Sequence, residues 1–180
     1  MDFVETTLNS KKIFTGKILS LRVDEVKLPN GNISKREIVE HPGAVAIVAI
    51  NENMEVLMVK QYRKPTESTL LEIPAGKLEK GETADICAQR ELMEEVGFRA
   101  LDMKFLAKFY TTPGFSNELL YLFLGQKLEK KSKKADDDEN IQVEKIPFLE
   151  AVKMAYDGKF LDAKTIIGLT LAYHQIKEKI

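Results

Sequence analysis

Three glutamates within five residues are the strongest chemical feature of this sequence. Glu91, Glu94 and Glu95 lie in a segment rich in helix formers. At 100° per residue they share one arc of about 100° on a helix. The opposite arc is apolar, with Ile86, Leu92, Met93 and Val96. Such an arc is either a solvated acidic surface or a set of oxygen ligands for a divalent cation, and the helix alone leaves both interpretations open.

The composition restricts the metal that these carboxylates could hold. The chain of 180 residues contains a single cysteine, Cys87, and two histidines, His41 and His174. A disulfide framework and a Cys-rich zinc module are therefore excluded, and two histidines leave little for a His-built metal site. A metal site here must be rich in oxygen, which favours Mg²⁺ and leaves Mn²⁺ possible.

The distribution of charge along the sequence also favours a cation-binding site. The formal net charge is −1, which argues against a polybasic nucleic-acid-binding protein, so we expect no nucleic-acid partner. Within residues 72–98, however, seven acidic and three basic residues give a local charge of −4. Bound cations would neutralise this local acidic patch.

The N-terminus and the longest apolar run give the expected location. Residues 1–5 lack the basic and apolar regions of a signal peptide, and the apolar run 43–50 is too short to span a bilayer. We therefore expect a cytoplasmic protein with no membrane partner.

Strands and helices alternate in a way that indicates an α/β (α+β) sandwich with a mixed sheet, preceded by a small N-terminal β subdomain. The Asn30-Gly31 turn between two extended runs predicts a hairpin, and His41-Pro42-Gly43 ends that unit. The predicted domains are residues 1–42 and 43–180. Strands are expected at 44–50, 56–62, 70–73, 104–110 and 119–128, and helices at 83–96, 148–156 and 162–179. The charged stretch 129–140, which includes Asp136 to Glu139, is interpreted as a solvated surface loop.

The context of the three glutamates resembles the Nudix box. Gly76 is followed after five residues by Glu82, and after seven more by Arg90-Glu91-Leu92, then Glu94-Glu95 and Gly97-Phe98. At typical residue usage, seven fixed positions arise by chance with odds of about 10⁻⁸ per start site. Phe98 departs slightly from the pattern, because an aliphatic residue is commoner there.

The resemblance implies roles for these residues. Glu91 and Glu95 are the expected main metal ligands, with Glu94 and the Ala75 carbonyl completing the set. Gly76 lets the backbone approach the ligand closely. Glu82 and Arg90 are expected to support the loop and helix through an ion pair, and Gly97 to end the helix.

Four further segments resemble ADP-ribose pyrophosphatases within the Nudix family. They are residues 40–45, 61–63, 71–77 and 112–118, and Pro113 lies sixteen residues past Gly97, as in that subfamily. The implied reaction converts ADP-ribose and water to AMP and ribose 5-phosphate. Another nucleoside diphosphate sugar such as GDP-mannose is the nearer alternative, and a non-catalytic ADP-ribose sensor is the more distant one.

The resemblance also implies residues that bind the small-molecule substrate. Glu118 matches the loop carboxylate that activates water, with Glu94 as its rival for the role of general base. The planar guanidinium of Arg63 suits a phosphate. Arg36 and Glu37 lie on a hairpin strand that, in the family, reaches into the partner subunit of a homodimer and helps to hold the adenosine part.

Overall fold

The structure is a computed structural model that describes residues 3–131 and 140–179. The chain forms two compact units, one made of Met1–Gly43 with Phe109–Leu119 and the other of Ala44–Lys108 with Leu120–Ile180. The acidic run Asp136 to Glu139 lies outside the described residues. The expected division at residue 42 and the exchange of an N-terminal subdomain between subunits stay predictions.

The first unit contains a three-stranded antiparallel sheet. Its strands are β1 (Thr6–Thr15), β2 (Ser20–Lys27) and β3 (Ile33–Glu40), in the order β1-β2-β3. The turn between β2 and β3 places Gly31 at φ 87°, as the Asn30-Gly31 pair predicts. The first forty residues were expected to form strands, but the sequence indicated no bounds for β1, in which two register shifts interrupt the regular pairing with β2.

The second unit is built on a seven-stranded mixed sheet. The strands are β4 (Ala44–Ile50), β5 (Glu55–Arg63), β6 (Ser68–Glu72), β7 (Ala75–Lys77), β8 (Phe98–Tyr110), β9 (Leu119–Lys130) and β10 (Ile141–Pro147). The main path is β10-β5-β4-β9-β8, with β6 on β5 and β7 on β4. Strands β4 and β9 run parallel, whereas β10, β6 and β7 pair antiparallel to their neighbours.

Among the described residues, three α-helices accompany this sheet: α1 (Ala84–Val96), α2 (Phe148–Tyr156) and α3 (Ala163–Ile176). Alternate residues of β4 face different helices. Val45 and Ile47 share a buried cluster with Leu92 of α1, whereas Val48 lies beneath Gly168 of α3. Every residue of β4 is buried, as expected for its continuous apolar run. The predicted sandwich is confirmed.

One detail of the α1 prediction is wrong. Ile86 was placed on the apolar arc, but its side chain is 58% exposed, while Glu91 and Glu95 are only 9% and 8% exposed. The buried arc of α1 instead runs from Cys87 to Val96, with both glutamates between them. The cause is the packing of α1 beside β7. The Ala75 N–H of β7 donates a hydrogen bond to Glu95, and Gly76 leaves room for the Glu91 carboxylate.

Candidate active site

The acidic helix and the short strand β7 together form the candidate site. Helix α1 ends where Gly97 adopts φ 76° and donates its N–H to the Leu92 and Met93 carbonyls. Strand β7 pairs with β4, so that Ala75 lies opposite Ala46 and Gly76 opposite Val45. Because α1 packs on the same β4 residues, its glutamates come to lie against the backbone of β7.

Gly76 and Glu91 are in close contact. A Cβ atom added to Gly76 would overlap the Glu91 carboxyl group, so only glycine leaves room for this carboxylate. The adjacent Ala75 N–H donates to Glu95 Oε2 at 2.8 Å. The backbone of β7 therefore packs against the Glu91 carboxylate and donates a hydrogen bond to the Glu95 carboxylate.

Arg90 donates to five described groups at this site, one of which is the Cys87 Sγ at 3.3 Å. Its Nη1 donates to Glu91 Oε1 at 2.7 Å and to Glu94 Oε2 at 2.9 Å. Its Nε and Nη2 donate to the two oxygens of Glu82 at 2.9 and 2.8 Å, and Nη2 also reaches the Lys77 carbonyl at 3.2 Å. The predicted ion pair of Glu82 and Arg90 is present and joins the loop after β7 to α1.

This arrangement changes the protonation equilibria of its members. The hydrogen bonds from Arg90 lower the pKa of Glu82 to about 2. The same bonds to Glu82, followed by the charge of Glu91, raise the pKa of Arg90. Glu82 and Arg90 are therefore both charged at neutral pH.

The residues present suit a hard divalent cation. The predicted set consists of carboxylates and one backbone carbonyl, which are the ligands that Mg²⁺ prefers. Because Gly76 has no side chain, the Glu91 carboxylate occupies the space that a side chain at residue 76 would fill. Within the described part of the chain, no three His, Cys, Asp or Glu side chains are already arranged around one metal position. Arg90 bridges Glu91 and Glu94 in this structure, so metal binding would require these side chains to rearrange.

Arg63 lies on the same sheet face as α1. It follows Val59 by four residues along β5, and Val59 belongs to the cluster under α1. Its Nε and Nη2 each donate to one oxygen of Glu72 at 2.8 Å. These bonds raise the pKa of Arg63, with a smaller contribution from the nearby charge of Glu95. The charge of the predicted metal ligand Glu95 therefore acts on the predicted phosphate-binding arginine.

Glu118 belongs to the first unit, at the end of a loop that begins at Thr111. Its Oε2 accepts a hydrogen bond from the Thr111 hydroxyl at 2.6 Å, and its Oε1 lies 3.5 Å from His41 Nδ1. His41 Nδ1 also accepts the Gly43 N–H at 3.1 Å. Pro113 lies within the same loop, consistent with a role in shaping it.

The predicted hairpin residues Arg36 and Glu37 are neighbours on β3. Neighbouring residues of a strand point to opposite faces of the sheet, so the two side chains diverge. Arg36 is already bound to Glu5 through Nε at 2.9 Å and Nη2 at 2.5 Å. A single ligand on one face of this sheet would meet only one of them.

Sequence reasoning missed the residues around Arg63. Glu72 is 1% exposed, and Lys164 binds both Glu72 and Asp162. The available signal was an acid within the apolar run Leu70 to Ile73, since a buried carboxylate requires partners. The sequence contains no indication that its second cation comes from α3.

The comparisons with known proteins establish the family. Residues 40–166 match the NUDIX domain, and residues 5–39 match the nucleoside diphosphate sugar hydrolase N-terminal domain. The chain therefore belongs to the Nudix hydrolase family, and the resemblance found in the sequence is confirmed.

Particular relatives extend over nearly the whole chain. The chain is 44% identical to the ADP-ribose pyrophosphatase of Bacillus subtilis (strain 168), over 98% of this chain and 95% of that protein. It is also 44% identical to the methanol dehydrogenase activator of Bacillus methanolicus, over 99% and 96%. The solved structure of an ADP compounds hydrolase matches with a TM-score of 0.88 at 25% identity, covering 99% of this chain and 98% of that one. A GDP-mannose pyrophosphatase of Yersinia enterocolitica is 34% identical over 78% of each chain.

Proposed function

We propose that this protein is a metal-dependent ADP-ribose pyrophosphatase that hydrolyses ADP-ribose to AMP and ribose 5-phosphate. The observation that carries this proposal is the packing of Glu91 and Glu95 on Ala75 and Gly76 within a complete Nudix box. It is supported by the relative of that name, which is 44% identical over nearly its full length.

In the proposed reaction, water attacks one phosphorus atom of the diphosphate and the bridging P–O bond breaks, so that two phosphate monoesters form. Glu91, Glu95, Glu94 and the Ala75 carbonyl would hold the cation, which we propose to be Mg²⁺, with Mn²⁺ as a substitute. When bound, such an ion neutralises the diphosphate and polarises its oxygens. Arg63 would bind a phosphate oxygen through the edge of its guanidinium that Glu72 leaves available.

Two glutamates are candidates for the general base that removes a proton from the attacking water. Glu118 accepts a hydrogen bond from the Thr111 hydroxyl at 2.6 Å, which restrains the orientation of its carboxylate. Glu94 lies on α1 and accepts a bond from Arg90 at 2.9 Å. We favour Glu118, because Glu94 is bonded to Arg90 and is also proposed as a metal ligand, whereas Glu118 lies outside that ligand set.

We further propose that the protein acts as a homodimer. The described residues of β1 are all exposed, among them Leu8, Ile13 and Phe14, at 49%, 51% and 55%. An edge strand with exposed apolar side chains is a surface suited to association. One member of the pair Arg36 and Glu37 could then complete the adenosine site of the partner subunit.

The location that we propose is the cytoplasm. A reducing compartment suits Cys87, which is buried and unpaired. Within the described residues, no helix has both the length and the apolar character needed to cross a membrane.

The deciding experiment is a Mg²⁺-dependent assay with a panel of nucleoside diphosphate sugars, in which the products are identified by mass. The proposal expects AMP and ribose 5-phosphate from ADP-ribose, and at least tenfold lower kcat/KM with GDP-mannose. Preferential release of GMP would instead favour the GDP-mannose alternative, which the 34% identical relative represents. Binding of ADP-ribose without product in the presence of Mg²⁺ would indicate a sensor.

A second function is favoured by one relative. The methanol dehydrogenase activator matches this chain as closely as the ADP-ribose pyrophosphatase does. An effect on a partner enzyme could accompany hydrolysis. Purified methanol dehydrogenase assayed with and without this protein tests it, and an unchanged rate over a tenfold excess of this protein would contradict it.

A further inference from the structure

A buried ionic cluster lies behind Arg63. We define the Glu72 cluster as Arg63, Glu72, Asp162 and Lys164. We propose that Glu72 and Lys164 are positioning residues that hold Arg63 in a fixed orientation and balance its surroundings electrically, so that it can bind an anionic diphosphate. This inference rests on the proposed function.

The geometry fixes one edge of the arginine and leaves the other available. Glu72 accepts from Nε and Nη2 of Arg63, each at 2.8 Å. Among the described residues, no hydrogen bond to Nη1 is found, and the Arg63 side chain is 35% exposed. A guanidinium has five N–H groups, so the outer edge retains a parallel pair that suits two phosphate oxygens. Because Glu72 restrains the side chain, less rotamer entropy is lost when substrate binds.

Lys164 determines the net formal charge of the Glu72 cluster. It donates to Glu72 and, at 3.0 Å, to Asp162 Oδ1, and its side chain is only 15% exposed. With Lys164, the four formal charges of the cluster cancel. Without it, the cluster carries −1 beside a site intended for an anion, in surroundings where water screens the charge poorly.

The cluster is held rigidly by the start of α3. Asp162 caps this helix by accepting the Thr165 N–H at 3.0 Å, and it also accepts the Thr165 hydroxyl at 2.5 Å. The same Thr165 hydroxyl oxygen accepts the N–H of Ile73, the residue after Glu72, at 3.0 Å. The end of β6 and the start of α3 are thereby joined at the point where Lys164 reaches Glu72.

The principal test is Lys164→Met, which retains the aliphatic stem and removes the charge. We expect KM for ADP-ribose to rise about tenfold, with kcat changed by less than about threefold. The rise should be greatest at low ionic strength, because it arises from charge. Lys164→Arg should restore most of the affinity. Lys153→Met is the matched control: Lys153 is 79% exposed on α2 and pairs with Asp157, so KM should stay within about twofold.

A second measurement follows Arg63 without any turnover. In a ¹H–¹⁵N spectrum, the Nε–H of Arg63 should be visible and slow to exchange in the wild-type protein. In Glu72→Gln it should shift and exchange at least tenfold faster. Calorimetric titration with ADP should show weaker binding in both Glu72→Gln and Lys164→Met.

These readouts separate the positioning role from a structural one and from failure of the proposed function. If Lys164→Met lowers the melting temperature but leaves KM and ADP binding unchanged, the cluster only supports the fold and the inference is wrong. Wild-type exchange of the Arg63 Nε–H in Glu72→Gln would also overturn it. If the wild-type protein hydrolyses no nucleoside diphosphate sugar, the proposed function fails, while the exchange and ADP measurements still decide whether Arg63 is positioned.

Discussion

Replacing Gly76 with alanine adds one methyl group at the contact between β7 and α1. The added Cβ would overlap the carboxyl group of Glu91. The backbone of Gly76 is outside the left-handed region, so alanine is compatible with its conformation and the perturbation is confined to this contact. Glu91 must therefore move away, and this breaks its 2.7 Å bond from Arg90 Nη1.

The expected magnitudes follow from that displacement. Overpacking a buried position costs about 1–3 kcal/mol of unfolding free energy. For a chain of this size, that corresponds to a melting temperature lower by roughly 3–10 °C. A ligand displaced by about 1 Å costs about 100-fold in turnover. We therefore expect Gly76→Ala to fold with modestly reduced stability, to lose about 100-fold in kcat, and to require more Mg²⁺.

The assay measures kcat against Mg²⁺ concentration alongside thermal unfolding. Gly114→Ala is the matched control, since Gly114 has no atom within 4 Å of an added Cβ and no left-handed backbone. The double variant Gly76→Ala/Glu91→Gln should be no less active than Glu91→Gln, because both changes act through one carboxylate. Wild-type Mg²⁺ dependence and turnover in Gly76→Ala would refute the reasoning, and so would full additivity in the double variant.

The remaining predictions concern the other carboxylates and the exposed strand. Glu95→Gln should retain the fold, as checked by circular dichroism, but lose at least about 100-fold in Mg²⁺-dependent kcat; near-wild-type turnover would remove it from the ligand set. Glu118→Gln should lower kcat by about 10²–10⁴-fold with little change in KM, and an unchanged rate would transfer the role of base to Glu94. Because the pKa of Glu82 falls from 4.5 to about 2 on folding, its contribution to stability is present above pH 4.5 and is lost as the pH falls towards 2. Glu82→Gln should therefore reduce the free energy of unfolding by about 1 kcal/mol at pH 7 and by less near pH 2, as measured by urea titration at both pH values. Phe14→Asp should convert a dimer to a monomer in sedimentation, whereas a wild-type protein that is monomeric at micromolar concentration would contradict the dimer itself.

The helices and strands that could be predicted are those with a regular pattern of apolar residues in their own sequence. Strand β4 is a continuous apolar run, and α2 and α3 have regular apolar spacing, so each was predicted within a few residues. The bounds of β1 and the existence of β7 and β10 were missed, for different reasons. In β10 the apolar–polar alternation that begins at Ile141 stops at Glu144-Lys145. Two register shifts disturb the alternation of β1, and β7 has only three residues, which exist as a strand because β4 pairs with them.

In the candidate site, too, the local sequence motif was predictable and the tertiary contacts were not. The Nudix box is a local pattern, so the sequence alone identified the family, the glutamates of α1 and the pairing of Glu82 with Arg90. It could not say which side of α1 the glutamates occupy. Hydrophobicity places charged residues outside, and this rule failed at Glu91 and Glu95 because the bare backbone of Gly76 and the N–H of Ala75 accept carboxylates at a buried position.

By itself, the sequence determined the chemistry available to this protein, namely oxygen ligands at helical spacing, a glycine before them and an arginine to pair with them. These depend on residue type and short spacing, which the chain carries locally. The tertiary structure decided which groups became neighbours. Arg63 at the end of β5, Glu72 at the end of β6 and Lys164 at the start of α3 are up to 101 residues apart, and only the pairing of β5 with β6 and the packing of α3 bring their charges together.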